Sequence, residues 1–436
     1  MATLQPYKKY IPVVYDYATE LPDGWQLLPN IAIFKERIER GQNNEEQLLS
    51  VTVRSGIIRQ EDVEIKKDTT PDDKSRYKLI EVGDIAFNPM NMWFGACGYS
   101  KYRGITSPVY TILKPKIDLN PIFFHYLFRT KFYQNYSKRF SYGIMDERLS
   151  LRYLHFKHMY SIVPPLEVQN TIVAYLDKKN EQIDTFIRNK KKLIELLEAN
   201  KKTVVKDAIT KGINQNAVFT KYDIDWLDKI PSHWELKKVR YIGKLYTGST
   251  PNSGNEKFWD GDIIWITPED LSEKGLFYIS NSKRKITKLG LKEIGKRLVP
   301  ANSIILTTRA PIGNIAIIKT PSSFNQGCKA VEVNSKRHFC EFIYYSLLTG
   351  VNELQTLGNG TTFTELSSGA LKNFKLPCPP INEQIEIVEY IKIELNKIDG
   401  VINRTLKEIS AIKEYREALI ADLIMGKKSI PNLQTN

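Results

Sequence analysis

Residues 164–212 read PPLEVQNTIVAYLDKKNEQIDTFIRNKKKLIELLEANKKTVVKDAITKG, and residues 379–426 read PPINEQIEIVEYIKIELNKIDGVINRTLKEISAIKEYREALIADLIMG. At a constant offset Gln169 aligns with Gln384, Ile172 with Ile387, Tyr175 with Tyr390, Ile183 with Ile398, Asp184 with Asp399 and Ile187 with Ile402. This is a duplication. Pro–Pro is tolerated at or before a first helical turn, and each run then keeps a helical pattern as far as a terminal glycine. The reading is two helices of about 45 residues, rods of roughly 65–70 Å.

The first rod places Ile172, Leu176, Ile183, Phe186, Ile187, Ile194, Leu197, Val204 and Ala208 on one stripe. The second places Ile387, Ile391, Ile398, Ile402, Ile409, Ile412, Leu419 and Leu423 there. That spacing is a coiled-coil seam. Lysines crowd both rods around the seam, so neither apolar face is wide enough to stabilise its helix alone. The rods are expected to pair with each other, as an antiparallel coiled coil.

A weaker repeat joins the regions between them. LPDGWQ (21–26) and IPSHWE (230–235) set Trp25 and Trp234 at equivalent starts, each about 140 residues before a Pro–Pro pair. The order is globule, rod, globule, rod: residues 1–162, 163–214, 215–376 and 377–436. Short β-branched and aromatic runs predict strands at 48–53, 84–87 and 109–113 in the first globule, and at 262–267, 303–308 and 314–318 in the second. Helical spacing predicts helices at 121–134 and 340–348. The fold class is α+β, two mixed α/β domains separated by two long paired helices, with an internal pseudo-two-fold repeat.

The 436 residues carry a net charge of +14, a sequence pI near 9.3 and 42% hydrophobic residues. That basic excess fits a polyanionic partner or a solvated surface, and charge alone does not choose. No apolar run reaches the ~20 residues of a membrane span and no signal core opens the chain, so a cytoplasmic location is expected. Cys97, Cys328, Cys340 and Cys378 share no CxxC spacing and read as reduced thiols.

The ordered ensemble of motifs resembles the specificity subunit of type I restriction-modification enzymes over nearly the whole chain. In the second half KIPSHWE (229–235), YTGSTP (246–251), GDIIWITPEDL (261–271), LTTRAPIGNIAII (306–318), FNQGCKAV (324–331) and CPPINEQ (378–384) carry the likeness. In the first half LLSVTVRSGII (48–58), VGDIAFNPMNMWFGACGYS (82–100) and GITSPVYTI (104–112) carry it. One departure is Val168, where the second copy has Glu383; it predicts a polar contact missing from one helix start. The resemblance implies a target-recognition domain in each globule, reading one half of a split double-stranded DNA site. It also implies rods that set the spacing and dock two modification (methyltransferase) subunits, with restriction (helicase-nuclease) subunits joining them. S-adenosylmethionine, ATP and Mg would then belong to those partners, with no cofactor in this chain and no membrane partner.

No chemical engine is legible in the sequence. A glycine-rich cofactor turn, an Asn/Asp-Pro-Pro-aromatic loop and a Walker A loop are missing; Asn88-Pro89-Met90-Asn91 comes nearest and reads as a turn. Glu64-Ile65-Lys66 and Glu235-Leu236-Lys237 have a Glu-x-Lys form that arises by chance in a charged chain. His155 and His158 lack the further ligands of a metal shell. No catalytic, cofactor or metal residue is therefore assigned. A coiled-coil protein adaptor with two binding heads stands as the alternative function, separable by the salt dependence of duplex binding.

Base edges call for Arg or Lys at guanine, Asn or Gln at adenine and small methyl-bearing groups at thymine, on loops beside Gly and Pro. The candidates are Arg54, Ser55, Asn88, Asn91, Trp93, Ser107, Arg148 and Arg152 in the first globule. In the second they are Ser249, Thr250, Thr267, Thr308, Arg309, Asn325, Gln326, Thr361 and Thr362. Trp93 also reads as a packing anchor, Ser107 and Thr250 as turn formers, and Arg309 as a member of an internal ion pair.

Overall fold

The computed structural model describes residues 4–15, 17–41, 46–53, 55–63, 74–143, 149–273, 275–296, 298–358 and 365–431. The two long helices are Leu166–Lys211, of 46 residues, and Ile381–Ile424, of 44. Each ends on a glycine with positive φ, 73° at Gly212 and 70° at Gly426, the left-handed C-terminal position that glycine fills without strain. A Cβ at Gly212 would stand 3.0 Å from the Trp234 ring, and one at Gly426 would stand 3.1 Å from the Trp25 ring. The tryptophan that opens each globule thus closes over a helix end.

Compactness divides the chain into two units, Met1–Lys191 with Leu406–Asn436, and Lys192–Thr405. Each therefore contains one globule, part of the helix that follows it and part of the other helix. The boundary between units runs through the helices rather than at their ends.

In the first unit a four-stranded antiparallel sheet has the order Phe34–Glu36, Thr111–Pro115, Ile85–Phe87, Cys97–Tyr99. Its core gathers Phe34, Phe87, Phe124, Phe128, Tyr133 and Phe156 with Ile172 and Leu176 of the first helix and Leu419 and Leu423 of the second. The helix expected at 121–134 is two helices, Pro121–Arg129 and Lys131–Arg139. Thr130 breaks it, because its hydroxyl donates to Leu127 O at 2.8 Å and accepts from Tyr133 N at 3.2 Å, capping a new start.

In the second unit a five-stranded sheet runs Gly243–Thr247, Cys328–Val333, Ser303–Thr307, Ile315–Ile318, Tyr278–Ile279. Only its last pair is parallel. A three-stranded sheet, Lys285–Ile286, Trp259–Ile266, Ser323–Phe324, stands beside it. The period of two in Trp259–Ile266 sends Ile264 and Ile266 into one apolar cluster and Ile263 and Trp265 into another. The expected helix at 340–348 is Cys340–Thr349.

The seam forms. In the first unit Ile172, Leu176, Ile183, Ile409 and Leu419 are buried and Ile187 is half-buried. In the second, Ala208, Ile391, Ile398 and Ile402 are buried and Leu197 is half-buried. The ion pairs give the direction. Asp184 pairs with Arg416 and Lys190 with Glu408 in one unit, and in the other Lys201 pairs with Asp399 while Gly212 lies against Glu383, so the helices run antiparallel in both. Phe186 is a correction: it is 38% exposed and lies off the stripe, with the Lys190 ammonium 5.3 Å from its ring centroid.

The duplication is repeated atom by atom. Gln169 Nε2 donates to Pro164 O at 2.7 Å and Gln169 Oε1 accepts from Asn120 N at 2.9 Å. Gln384 Nε2 donates to Pro379 O at 2.7 Å and Gln384 Oε1 accepts from Phe339 N at 2.8 Å. Each glutamine is buried and ties its helix start to the globule before it. The strand after each opening tryptophan pairs with the strand entering Pro–Pro, Gln26–Pro29 with Tyr160–Val163 and Glu235–Lys238 with Lys375–Cys378.

All four cysteines are free, and burial pushes the thiols of Cys97, Cys328, Cys340 and Cys378 up to about 12. Among the described residues no helix is long and apolar enough to cross a membrane.

Candidate nucleic-acid interface

The second globule gathers most of its candidates at one place. Ser249 N donates to Phe324 O at 2.9 Å, Asn325 N to Ile266 O at 3.0 Å and Thr308 N to Gly327 O at 2.8 Å. These backbone bonds bring the segments 247–251, 265–267, 307–309 and 324–328 together. Gly248 is required for the approach, since a Cβ there would overlap Asn325 O. On this platform the Thr250 hydroxyl donates to Gln326 Oε1, and both residues are exposed. Asn325 spends Oδ1 on Gly327 N at 2.9 Å, which leaves its NH2 group for a ligand. Trp265 Nε1 donates to Ser249 O at 3.1 Å and holds the loop from beneath.

Arg309 follows the strand Ser303–Thr307 and is 52% exposed, its Nε donating to Glu365 Oε2 at 3.1 Å. Lys329, only 3% exposed, donates from Nζ to Thr308 Oγ1 at 3.2 Å and to Leu366 O at 2.8 Å, with Glu365 Oε1 at 3.7 Å. Burial, opposed by Glu365, holds the Lys329 ammonium below its ordinary value. Glu365 therefore joins an exposed guanidinium to a buried ammonium.

Two candidates are corrected here. Thr308 is fully buried; its hydroxyl donates to Gly327 O at 3.2 Å and accepts from Lys329, so it braces the platform and does not meet a ligand. Thr267 donates its hydroxyl to Asp270 Oδ2 at 2.7 Å and closes a turn. Thr361 and Thr362 lie outside the described residues.

The first globule builds an open groove of about 600 Å³ lined by Pro89, Met90, Val109, Arg152, Leu154 and Lys157, with Lys78 and Glu36 at its side. It joins the loop after the strand Ile85–Phe87, the turn at Ser107 and the segment before the short helix Tyr153–Phe156. Leu151 N donates to Pro89 O at 2.9 Å, and in the second globule Leu366 N donates to Thr308 O at 2.7 Å. The same clamp therefore fixes the post-strand loop in both globules. Met90, Val109 and Leu154 are 51%, 60% and 58% exposed, an apolar lining between cations that suits thymine methyls.

Asn88 is half-buried and closes an Asx turn, its Oδ1 accepting from Met90 N at 3.0 Å, while Asn91 stands exposed on the same loop. Trp93 donates Nε1 to Met90 O at 3.2 Å and stacks on Phe94 with Lys138 5.1 Å from its ring centroid, a packing anchor with one open side. Ser107 acts as a turn former, Oγ accepting from Val109 N at 3.4 Å. Ser55 is not brought to this groove; it lines another, of about 660 Å³, with Lys101 and Arg188. Arg54 and Arg148, with Glu64-Ile65-Lys66, lie outside the described residues.

The remaining sequence signals resolve into local structure. His155 stacks against Tyr142 with ring centroids 4.5 Å apart, and Glu235 pairs with Lys237 at 2.5 Å on a strand. Sequence reading missed Lys329 and Glu365. Lys329 sits inside the apolar strand Cys328–Val333, and a charge at an inward position of such a strand is the signal that could have found it.

The fold and its loop clusters define a duplicated scaffold, in which two globules carry hydroxyl, amide and guanidinium groups on loops and the two long helices, themselves the sequence repeats, pair with each other. Residues 231–411 match the family model of the type I restriction modification DNA specificity domain. The MjaIX type I restriction enzyme specificity subunit of Methanocaldococcus jannaschii is 39% identical over 184 residues, 42% of this chain and 41% of that one, so this match spans under half of that relative. The putative MjaX specificity subunit of the same organism is 25% identical over 425 residues, 94% of each chain. A chain in a solved structure of the type I R-M system shares the fold, with a TM-score of 0.67 at 15% identity over 93% of this chain and 99% of that one. The resemblance read from the sequence holds: the whole chain is similar to specificity subunits of type I restriction-modification systems, and residues 231–411 match the model of their DNA specificity domain.

Proposed function

We propose that this chain reads a bipartite double-stranded DNA site for a type I restriction-modification complex, one globule per half-site. The helices hold the half-sites at a set separation and dock the modification subunits, through which restriction subunits join. S-adenosylmethionine, ATP and Mg are handled by those partners, and this chain is non-catalytic. The observation that carries the reading is the repeated clamp, Leu151 N to Pro89 O and Leu366 N to Thr308 O, at 2.9 and 2.7 Å. It mounts a loop beside cations in each of two globules whose surface side chains differ. A shared mount with unlike contact groups is what two different half-sites require.

The test is to express the chain with the modification subunits of its complex and map methylated positions genome-wide. A split motif with an unread gap is the expected result, and duplex binding should weaken log-linearly with salt. Arg309→Ala should then relax the second half-site alone, by about 1–3 kcal/mol at one position. Its stability cost should stay within roughly 0.2–1 kcal/mol, because the pair with Glu365 is exposed. Methylation without a gapped motif, or a complex that binds protein and no duplex, would return the chain to the adaptor reading.

A further inference from the structure

The rim of the second platform carries a cation that the sequence reading did not single out. Arg284 is exposed, and its guanidinium carbon lies 3.8 Å from the ring centroid of Trp259 and 5.4 Å from that of Trp265. The two indoles meet edge to face at 5.0 Å and are 8% and 3% exposed, so they form a fixed floor. Both indole N–H groups hold the candidate loop: Trp265 Nε1 donates to Ser249 O at 3.1 Å and Trp259 Nε1 to Asn252 O at 3.2 Å. The backbone at Arg284 is fixed as well, since Ser282 Oγ donates to Arg284 O at 2.6 Å and accepts from Trp265 N at 3.1 Å.

Its sequence neighbour Lys283 pairs with Glu269 at 2.5 Å; among the described residues no carboxylate pairs with Arg284. A guanidinium stacked on an indole keeps its edge N–H donors free, and stacking removes much of the rotamer entropy that a contact would otherwise cost. A planar fork of donors on the indoles that hold Ser249 O and Asn252 O matches one base edge best. That edge is guanine, with acceptors at O6 and N7.

We propose that Arg284 is a specificity-determining residue for a guanine in the half-site read by the second globule. The proposal rests on the DNA-reading function above and adds to it a residue and a base. A cation that only capped the Trp259–Trp265 floor would be replaceable by any cation. A bidentate reader would not be, because lysine keeps the charge and the contact with the ring but loses the fork.

The test uses the complex of the full chain with its modification subunits, as wild type, R284K and R284A. Competition binding against a duplex library randomised at the second half-site, thermal melting and the salt slope of binding are measured together. In R284K the preference at one G·C position should fall roughly 10- to 100-fold, with the first half-site, the melting temperature and the salt slope unchanged. R284A should lose the same preference. Equal weakening for every sequence with a shallower salt slope would overturn the proposal in favour of a phosphate contact, and unchanged preference in both variants would overturn it outright. Failure of the underlying reading looks different: the wild-type complex itself would then show no preference at either half-site.

Discussion

Trp234 donates its indole N–H to Glu383 Oε1 at 3.0 Å, and Glu383 Oε2 lies 2.9 Å from His233 Nε2. The equivalent positions in the first copy are Trp25 and Val168, which cannot make this bond. The contact expected to be missing from one helix start is therefore present in the second unit and has no counterpart at Val168. The fold persists in both units because the glutamine one residue later makes the same pair of bonds in each.

Replacing Glu383 with Val should accordingly destabilise the second unit by about 1–3 kcal/mol, since it leaves the indole N–H of a 4%-exposed tryptophan without its acceptor. Native-state hydrogen exchange resolves the two units separately. Amides around Trp234 and Gly212 should lose protection while those around Trp25 and Gly426 keep theirs. Equal loss in both would show that the units do not open independently.

The two buried glutamines make near-identical bonds, so Gln169→Leu and Gln384→Leu should cost similar amounts, each about 2–4 kcal/mol for the backbone groups left unpaired. The matched cost, read from urea unfolding of each variant, is the quantity to check. A difference beyond about 1 kcal/mol would mean that the repeat is preserved in geometry but not in energy.

A pH dependence follows from His125. Its ring is half-buried in the first unit, its buried Nδ1 has no hydrogen-bond partner among the described residues, and desolvation, then the charges of Arg129 and Lys101, push it down to about 3. The folded ring thus stays neutral while the unfolded ring takes a proton near pH 6.5. The unfolded state binds more protons between these values, so stability falls as pH drops from about 6.5 toward 3, by at most ~1.4 kcal/mol per pH unit from this group. His125→Gln should flatten that part of the curve relative to wild type in urea titrations at pH 7, 6, 5 and 4. Parallel curves would assign the acid loss to other groups.

Long-range structure was legible in the sequence where a period was sustained. Two apolar stripes of helical spacing, each opened by Pro–Pro and closed by Gly, specified both helices and their pairing. Only Phe186 left the stripe, where Lys190 covers it. Shorter elements were legible in outline, and the break at Thr130 was hidden because apolar spacing continues across it; only the cap chemistry of its hydroxyl reveals two helices. The site was partly legible. Loop chemistry picked out Ser249, Thr250, Asn325, Gln326 and Arg309, candidates on segments that the fold brings together, but burial removed Thr308, and an internal acceptor, Asp270, took the hydroxyl of Thr267. The Thr267–Asp270 bond is a local turn between residues three apart, whereas the burial of Thr308 is not visible without the strand pairing. Glu365 and Lys329 escaped notice for the same reason: 36 residues of sequence separate partners that the sheet places 3.7 Å apart.

The helices offer a test of spacing. Lys201 pairs with Asp399, so the peptide bonds after Ala199 and after Gly400 face each other across the antiparallel seam. Four residues inserted at both points would lengthen each helix by about 6 Å and add roughly 40° beyond a full turn. The seam absorbs this, because four residues approximate one turn and move the apolar stripe only slightly. On the proposed function the globules and their loops are unchanged, so both half-site sequences should persist while the unread gap between them grows by one or two base pairs, at about 3.4 Å per base pair. Methylation mapped genome-wide in cells carrying the doubly extended chain with its modification subunits gives the answer directly. A gap that stays constant while methylation survives would show that the helices do not set the spacing. Altered half-site bases would show that reading and spacing are not separable in this chain.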